Sequence, residues 1–381
     1  MAMTLHELLE GWVEEPSAVR VSGIGLDNRK IKPGDAFVAV RGMSTHGMDY
    51  AKAAVEAGAV AVIHDGLQAA PDLDVPVVAV RGLGDKLGEL ASRYYSAPSE
   101  QMRIAGVTGT NGKTSVAHFL AQSWQRVYGN AGMVGTLGYG PVGDLQSGAR
   151  TTPDAFRLQQ VLADCVKTGV EHLAMEVSSH ALQQHRCQTV QFDAAVFTNL
   201  SRDHLDYHSN MAAYAAAKRL LFTDYAPAFA IINHDDAYGR KWFGELNGGM
   251  QMLSFGLQEG AELTAEISAI DINGMNLRIS GPWGSEEVHT CLLGEFNASN
   301  LLATAGTLAL LGMPWNRVLH QIELMQPVPG RMMRLGGETG QPVVVIDYAH
   351  TPDALESALH AVRAHLDGRL VCVFGCGGNR D

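Results

Sequence analysis

An apolar, strand-forming run from Arg103 to Val107 leads into Gly109-Thr110-Asn111-Gly112-Lys113-Thr114-Ser115, and a helix-forming stretch from Ser115 to Tyr128 follows at once. Strand, glycine loop and helix in that order are the context a phosphate-gripping loop requires. Glycines let successive backbone N–H groups converge on phosphate oxygens. Lys113 can reach β- and γ-phosphates, and the Thr114 hydroxyl can ligate Mg2+. The general pattern has its first glycine where this chain has Val107, although Gly106 and Gly109 flank it. The chain is therefore expected to bind ATP.

Around the loop, strands and helices alternate. His172 to Val177, Ala194 to Asn199 and Phe229 to Asn233 read as buried strands with helices between them, which predicts a mostly parallel, doubly wound sheet. From Glu262 to Leu293 the pattern changes to short alternating strands with turns at Asn273-Gly274 and Gly281-Pro282, predicting an antiparallel patch appended to the domain. Asn297 to Leu311 reads as a helix. Residues 1–99 form a smaller α/β region with strands at Ala36 to Val40, Ala59 to Ile63 and Pro76 to Val80, and helices at Tyr50 to Ala57 and Asp85 to Tyr95. Pro98 marks a linker, and Pro327, Pro329 and Gly330 mark a second boundary. Beyond it, Val343 to Asp347, Pro352 to His365 and Leu370 to Phe374 read as one βαβ unit. The expected division is 1–99, 100–328 and 329–381. One βαβ unit cannot cover both faces of a parallel sheet, so the third region is expected to be an incomplete domain.

Composition narrows the partners. The net charge is -12, from 28 basic and 40 acidic residues, which argues against nucleic acid or an anionic membrane as partner. An anionic substrate needs only a local cluster of donors. The five cysteines, Cys165, Cys187, Cys291, Cys372 and Cys376, are odd in number and widely spaced, so no disulfide framework is expected. Cys372 and Cys376 have no second pair and no nearby histidine, and read as buried thiols rather than a metal site. Glu7 and Glu10 lie where a signal peptide would be apolar. The uncharged segment from Phe296 to Asn316 holds Asn297, Asn300, Thr304, Thr307 and Pro314, and reads as a buried helix, not a membrane span. A cytoplasmic protein without membrane insertion is expected. No heptad pattern is present, and a monomer is expected.

The loop's form, Gly-Thr-Asn-Gly-Lys-Thr, resembles that of the Mur ligases and their relative folylpolyglutamate synthetase. Three longer stretches are similar to Mur ligase motifs: Ala174-Met175-Glu176-Val177-Ser178-Ser179-His180, Thr198 through His208, and Asp347-Tyr348-Ala349-His350-Thr351-Pro352. With Gly375-Cys376-Gly377-Gly378 they narrow the resemblance to the branch that adds the third residue of the peptidoglycan stem. The resemblance implies an α/β, three-domain fold with a central phosphate-loop domain built on a doubly wound, mostly parallel sheet. The domains serve the UDP-sugar substrate, ATP and the incoming amino acid in turn. It also implies the reaction: ATP-driven joining of meso-diaminopimelate to UDP-N-acetylmuramoyl-L-alanyl-D-glutamate. A carboxylate is a poor electrophile, so the γ-phosphoryl is transferred to make an acyl phosphate, which the amine then attacks. Positioning and charge neutralisation are the protein's main tasks.

Site residues follow from the same resemblance. Glu176, at the C-terminal end of its predicted strand, and His204 bind Mg2+ together with Thr114; His180 and His208 are competing histidines nearby. Lys218, in Tyr214-Ala215-Ala216-Ala217-Lys218, matches a lysine carbamylated by CO2, which adds it to the metal set; composition alone makes it an exposed helix lysine. The implied catalytic set is Lys113, Glu176, His204 and Lys218. For ATP, the resemblance adds Asn297, Arg331, Asp347 and His350 to residues 109–115. Asn297 and Asn300 share one helix face by spacing, which equally allows Asn297 to be an N-cap. Thr151, Thr152, Ser178, Gln184 and Arg186 match contacts to the UDP-linked dipeptide, and Arg186 can pair bidentately with a carboxylate or a phosphate. In the first region, Leu26 and Asn28 of Leu26-Asp27-Asn28-Arg29, with Met43, Ser44 and Thr45, match the uridine and sugar contacts. Arg380 matches an arginine that binds the incoming amino acid. Three positions depart from the family: Asn28 where Ser is usual, Arg150 where Asn precedes the two threonines, and Asn379 where Asp is usual.

Three rival readings remain. A lysine-adding ligase of the same pathway differs by a selectivity motif, Asp-Asn-Pro-Arg in the diaminopimelate form, that would lie beyond Asp381. Folylpolyglutamate synthetase lacks a separate region like residues 1–99. A non-catalytic nucleotide-binding module would have no use for Lys113, Glu176, His204 and Lys218 together.

Overall fold

The structure is a computed structural model that describes residues 2–14, 17–42, 44–246, 249–337, 341–349 and 352–375. Two compact units gather these residues. One comprises Met1–Gln101, Pro153–Lys167 and Gln184–Val190; the other comprises Met102–Thr152, Thr168–Gln183 and Gln191–Asp381.

The first unit is built on a parallel sheet in the order Gly23–Gly25, Asp35–Ala39, Ala61–His64, Val77–Ala79. Successive side chains of its strands point to opposite faces. Ala36, Val38, Ala61 and Ile63 pack with Leu5, Leu8, Leu90 and Ala91, while Phe37, Ala39 and Val62 pack with Met48, Ala51 and Ala54. Covering both faces explains why these strands read as unbroken apolar runs. Gly23–Gly25 was not expected, because Gly-Ile-Gly carries almost no strand propensity of its own. The expected helix at Tyr50 to Ala57 divides into a 3-10 turn, Gly47–Tyr50, and an α-helix, Ala51–Glu56.

The second unit centres on a ten-stranded sheet. From one edge its order is Gly284–Thr290, Gly274–Gly281, Leu263–Asp271, Gln251–Gly256, Phe229–Asn233, Ala194–Phe197, Arg103–Thr108, His172–Glu176, Ala131–Gly135 and Gly138–Pro141. The seven strands from Leu263–Asp271 to Ala131–Gly135 run parallel, and the outer ones are added by antiparallel pairing with their neighbours. The antiparallel segment is thus not a separate patch: Leu263 and Thr264 pair with Phe255 and Gly256, which extends the main sheet. Chain order places the later strands to one side of Arg103–Thr108 and the earlier ones to the other. That strand is the point where the winding reverses, and open α/β sheets bind ligands at the C-terminal ends there.

The helix Glu295–Leu310 is buried on nearly every side, from Asn297 to Leu308. This accounts for its lack of charge beyond Glu295, and no helix is long and apolar enough to cross a membrane among the described residues. Cys165 and Cys187 are buried free thiols, whereas Cys372 is exposed rather than buried as expected. Toward the C-terminus, Met333–Gly336 pairs antiparallel with Val343–Ile346, and the helix Pro352–Ala364 follows. Residues 370–374 form no strand, contrary to expectation, because no described strand pairs with them and strand geometry needs a ladder partner. His365 ties this segment to the sheet: its Nε2 accepts the Gly294 N–H at 2.8 Å, and its Nδ1 lies 2.6 Å from the Asp271 carbonyl oxygen.

Candidate active site

The sheet register brings three motif ends to one edge. Glu176 lies opposite Val107 and Phe197 lies opposite Thr108, so the phosphate loop emerges between the Glu176 and Thr198 segments. Gly109 has φ +149°, and a Cβ there would fall 1.9 Å from Thr198 Oγ1. Gly112 has φ +85°, and a Cβ there would lie 2.5 Å from Asn300 Oδ1. Both positions demand glycine for conformation and for space. The loop is held from the neighbouring strand: Thr110 N–H donates to the Asn199 carbonyl at 2.8 Å, and Asn111 N–H to Asn199 Oδ1 at 2.9 Å. The helix Lys113–Tyr128 starts inside the loop, two residues before its expected start, and no side chain caps it. Its first-turn N–H groups are those an anion at a helix N-terminus would take.

Two lysines converge on one carbonyl. Lys113 Nζ donates to the Gly109 oxygen at 2.9 Å and to the Thr110 oxygen at 2.8 Å, and Lys218 Nζ donates to the same Gly109 oxygen at 2.7 Å. Lys218 is only 1% exposed, so it is not the surface lysine that composition suggests. It lies 4.4 Å from the ring centre of Tyr214, one turn back on the helix Met211–Thr223. Burial is the main reason its amine falls well below the ordinary lysine value; the Lys113 ammonium adds to this, and Asp203 pulls the other way. Burial likewise lowers Lys113, opposed by Glu176 and Asp203 and reinforced by Arg331. Burial also pushes the Tyr214 phenol up to about 12, and its hydroxyl lies 3.2 Å from Thr110 Oγ1.

Glu176 is 1% exposed and fully engaged. It accepts from Thr114 Oγ1 at 2.9 Å, Thr136 N–H at 2.7 Å and Thr136 Oγ1 at 3.3 Å. Its backbone oxygen accepts from Thr152 Oγ1 at 2.8 Å, and Thr152 in turn accepts the Ser178 N–H at 3.1 Å. Thr151 Oγ1 lies 3.2 Å from Thr136 Oγ1. Thr151, Thr152 and Ser178 thus join the Glu176 end of the sheet.

The histidines form a second cluster. His204 has φ +52° and is 46% exposed, with Nε2 3.5 Å from Asp203. His180 packs between it and Tyr207, at ring separations of 5.0 and 4.1 Å. His208 is buried, with Nε2 2.9 Å from Ser179 Oγ; burial lowers its basicity, and His204 and Lys218 lower it further. Among the described residues no three of His, Cys, Asp and Glu come together as a metal-binding group. Thr114 and Glu176 form the described pair of hard oxygen donors.

The remaining expected residues fall in several places. Asn297 donates to the Leu293 carbonyl at 2.8 Å and accepts from Asn300 at 3.1 Å, while Gly294 takes the N-cap position that spacing left open to Asn297. Asp347 accepts the Met332 and Ala349 N–H groups at 2.9 and 2.8 Å, holding the turn beside Arg331, whose guanidinium lies 5.2 Å from the Tyr348 ring centre. Gln184 and Arg186 belong to the first unit, where the Arg186 guanidinium donates to Gln184 Oε1. Leu26 packs against the first unit's core, and Asn28 opens a 3-10 turn capped by Asp27. Ser44 and Thr45 are exposed. Met43, His350 and Arg380 lie outside the described residues. Thr136 and Tyr214 were not singled out from sequence; Tyr214 could have been, since it lies four residues before Lys218 on one helix.

Residues 107–308 match the Mur ligase middle domain, residues 20–95 the Mur ligase family catalytic domain, and residues 330–381 the Mur ligase glutamate ligase domain. The chain belongs to the Mur ligase family. A UDP-N-acetylmuramoyl-L-alanyl-D-glutamate–2,6-diaminopimelate ligase of Coxiella burnetii is 44% identical to this Mur ligase over 370 residues, covering 95% of this chain and 76% of that one. The ligase of the same name from Xanthomonas campestris pv. campestris is 46% identical over 384 residues, covering 100% of this chain and 77% of that one. A solved structure of a UDP-N-acetylmuramoyl-L-alanyl-D-glutamate–2,6-diaminopimelate ligase superposes with a TM-score of 0.82 at 32% identity, over 100% of this Mur ligase and 78% of that chain.

Proposed function

We propose that this Mur ligase joins meso-diaminopimelate to UDP-N-acetylmuramoyl-L-alanyl-D-glutamate in a reaction driven by ATP and yielding ADP and phosphate. The observation that carries the reading is the convergence of Lys113 and Lys218 on the Gly109 carbonyl, beside the Thr114–Glu176 pair. The names of relatives at 44% and 46% identity supply the substrates. The proposed division is a UDP-sugar region at 1–99, an ATP region at 100–328 and an amino-acid region at 329–381, in a cytoplasmic monomer.

Each residue then has a task. The loop N–H groups and Lys113 neutralise the phosphate oxygens during transfer to the D-glutamate carboxylate. Asn297, Arg331, Asp347 and His350 hold the rest of ATP. Thr151, Thr152, Ser178, Gln184 and Arg186 orient the dipeptide, Leu26, Asn28, Met43, Ser44 and Thr45 the UDP-sugar, and Arg380 the amino acid. Mg2+ suits Thr114 and Glu176, which offer hard oxygens side by side, with His204 as a further ligand; when bound, it neutralises developing phosphoryl charge. The buried amine of Lys218, depressed by its surroundings, fits carbamylation by CO2, since only the neutral amine attacks CO2. The carbamate would replace a repelling ammonium with two oxygen ligands.

The test is phosphate release by the purified protein with ATP, the UDP-linked dipeptide and meso-diaminopimelate. Release should depend on all three and fall at least about tenfold when lysine replaces diaminopimelate. Equal turnover with lysine would overturn the choice of amino acid, and failure to bind both ATP and the UDP-linked dipeptide would overturn the ligase reading.

A further inference from the structure

In the first unit, the strand Asp35–Ala39 leads into a hairpin. Gly42 N–H donates to the Thr45 carbonyl at 2.9 Å, Arg41 and His46 form an antiparallel bridge, and Gly47 N–H donates to the Val40 carbonyl at 2.9 Å. Ser44 and Thr45 are exposed at its tip. The side chains at its base are shielded, those of His46 and Asp65 being each 7% exposed, while Asp65 as a whole is half-buried. Both ring nitrogens of His46 are committed. Nδ1 accepts the Met48 N–H at 3.1 Å, so the proton resides on Nε2, which faces the two Asp65 oxygens at 3.0 and 3.2 Å. Asp65 follows the strand Ala61–His64 and also accepts the Arg41 and Leu67 N–H groups, each at 3.1 Å. Burial pushes its carboxyl up, but the N–H groups of Leu67 and Arg41, with His46, outweigh burial and hold it below the usual carboxylate range. A Cβ on Gly47 would fall 2.7 Å from Ala39 Cα, so the hairpin base lies flat on its own strand.

One carboxylate therefore grips both legs of the hairpin: Arg41 on the outgoing leg and His46 on the returning one. We propose that the His46–Asp65 pair positions the UDP-sugar loop, fixing the hairpin so that Ser44 and Thr45 meet the substrate without a further ordering cost. The inference rests on the reading of Ser44 and Thr45 as UDP-sugar contacts. A buried staple that left the loop's task untouched would alter stability alone. A positioning staple alters the affinity for one substrate and not the chemistry.

The experiment compares Asp65→Ala and Asp65→Asn with the wild-type protein in the phosphate-release assay, titrating the UDP-linked dipeptide and ATP separately. Asp65→Ala should raise KM for the UDP-linked dipeptide by about tenfold, with kcat and KM for ATP within about twofold; Asp65→Asn, which keeps an acceptor oxygen, should fall between. If Asp65→Ala does not fold, the Asp65→Asn shift alone decides. An unchanged dipeptide KM, or a parallel loss in kcat and in ATP affinity, overturns the proposal. A Ser44→Ala/Thr45→Ala double variant separates the two layers. If it leaves the dipeptide KM unchanged, the contact reading fails; if it raises that KM while the Asp65 variants do not, the staple alone fails.

Discussion

Replacing Lys218 with methionine is expected to abolish ligase activity and to make the folded protein more stable. Lys113 and Lys218 Nζ lie 2.9 and 2.7 Å from one oxygen, so they are within about 5.6 Å of each other, the sum of those distances. Two ammonium charges at that separation repel by about 3 kcal/mol at an effective dielectric constant of about 20. Methionine matches the length of the lysine stem and forfeits one hydrogen bond of about 1 kcal/mol, but Lys113 still serves the Gly109 oxygen. From repulsion alone the net gain is about 2 kcal/mol, roughly 4 °C in the melting of this unit, and relief of the burial that chiefly depresses the amine adds to it. The pH dependence has a definite sign. The folded Lys218 amine lies well below 10.5, so between its folded value and 10.5 the unfolded chain binds more protons. Wild-type stability therefore rises with pH through that window. The advantage of Lys218→Met is full below the folded value and vanishes toward pH 10.5. The assay is thermal melting of both proteins across pH in CO2-scrubbed buffer, which keeps the amine free. A variant no more stable than wild type, with a pH-independent difference, would refute the argument that a charged Lys218 is costly in its buried place beside Lys113.

Lys113→Ala should lose phosphate release by several kcal/mol of transition-state stabilisation while circular dichroism stays unchanged; activity within a few-fold of wild type would sink its assignment. Thr114→Val should cost about 1.5–3 kcal/mol of stability, measured by urea denaturation, because Glu176 keeps its buried position with one donor fewer. Gly112→Ala should raise KM for ATP at least about tenfold, since φ +85° and the 2.5 Å approach to Asn300 both oppose a side chain; normal ATP kinetics would contradict the loop geometry. A carbamate carbon signal from protein equilibrated with labelled bicarbonate should vanish in Lys218→Arg, and its absence from the wild type would count against carbamylation.

What could be read from sequence was what depends on neighbours along the chain. Gly109 to Ser115 announces a phosphate loop because its strand and helix are adjacent, and the apolar runs at Ala194 and Phe229 announce buried strands because both sheet faces are covered. What escaped depends on partners far along the chain. The parallel pairing of Leu263 with Phe255 cannot be seen in a segment whose turns all signal hairpins. Residues 370–374 carry the residues of a strand, but a strand exists only where another backbone accepts its hydrogen bonds. Thr136 reaches Glu176 from 40 residues away with no motif to mark it. Lys218 looked like a surface lysine until the helix carrying it was packed, because burial is a property of the fold and not of the local pattern.

The contacts from Leu293 through Asn297 and Asn300 to Gly112 make the buried helix Glu295–Leu310 a ruler. One end of the gauge touches the loop proposed to hold phosphates, and the other is the amide proposed to meet adenine. The interval between them is three residues of α-helix, about 4.5 Å of rise, and helical rise scarcely stretches. On that proposal, the interval between the two contacts follows the pitch of a rigid rod rather than a flexible loop. Loops elsewhere can lengthen or shorten without changing that dimension, whereas a single residue inserted between Asn297 and Asn300 would swing the amide through about 100° and leave the gauge with one end.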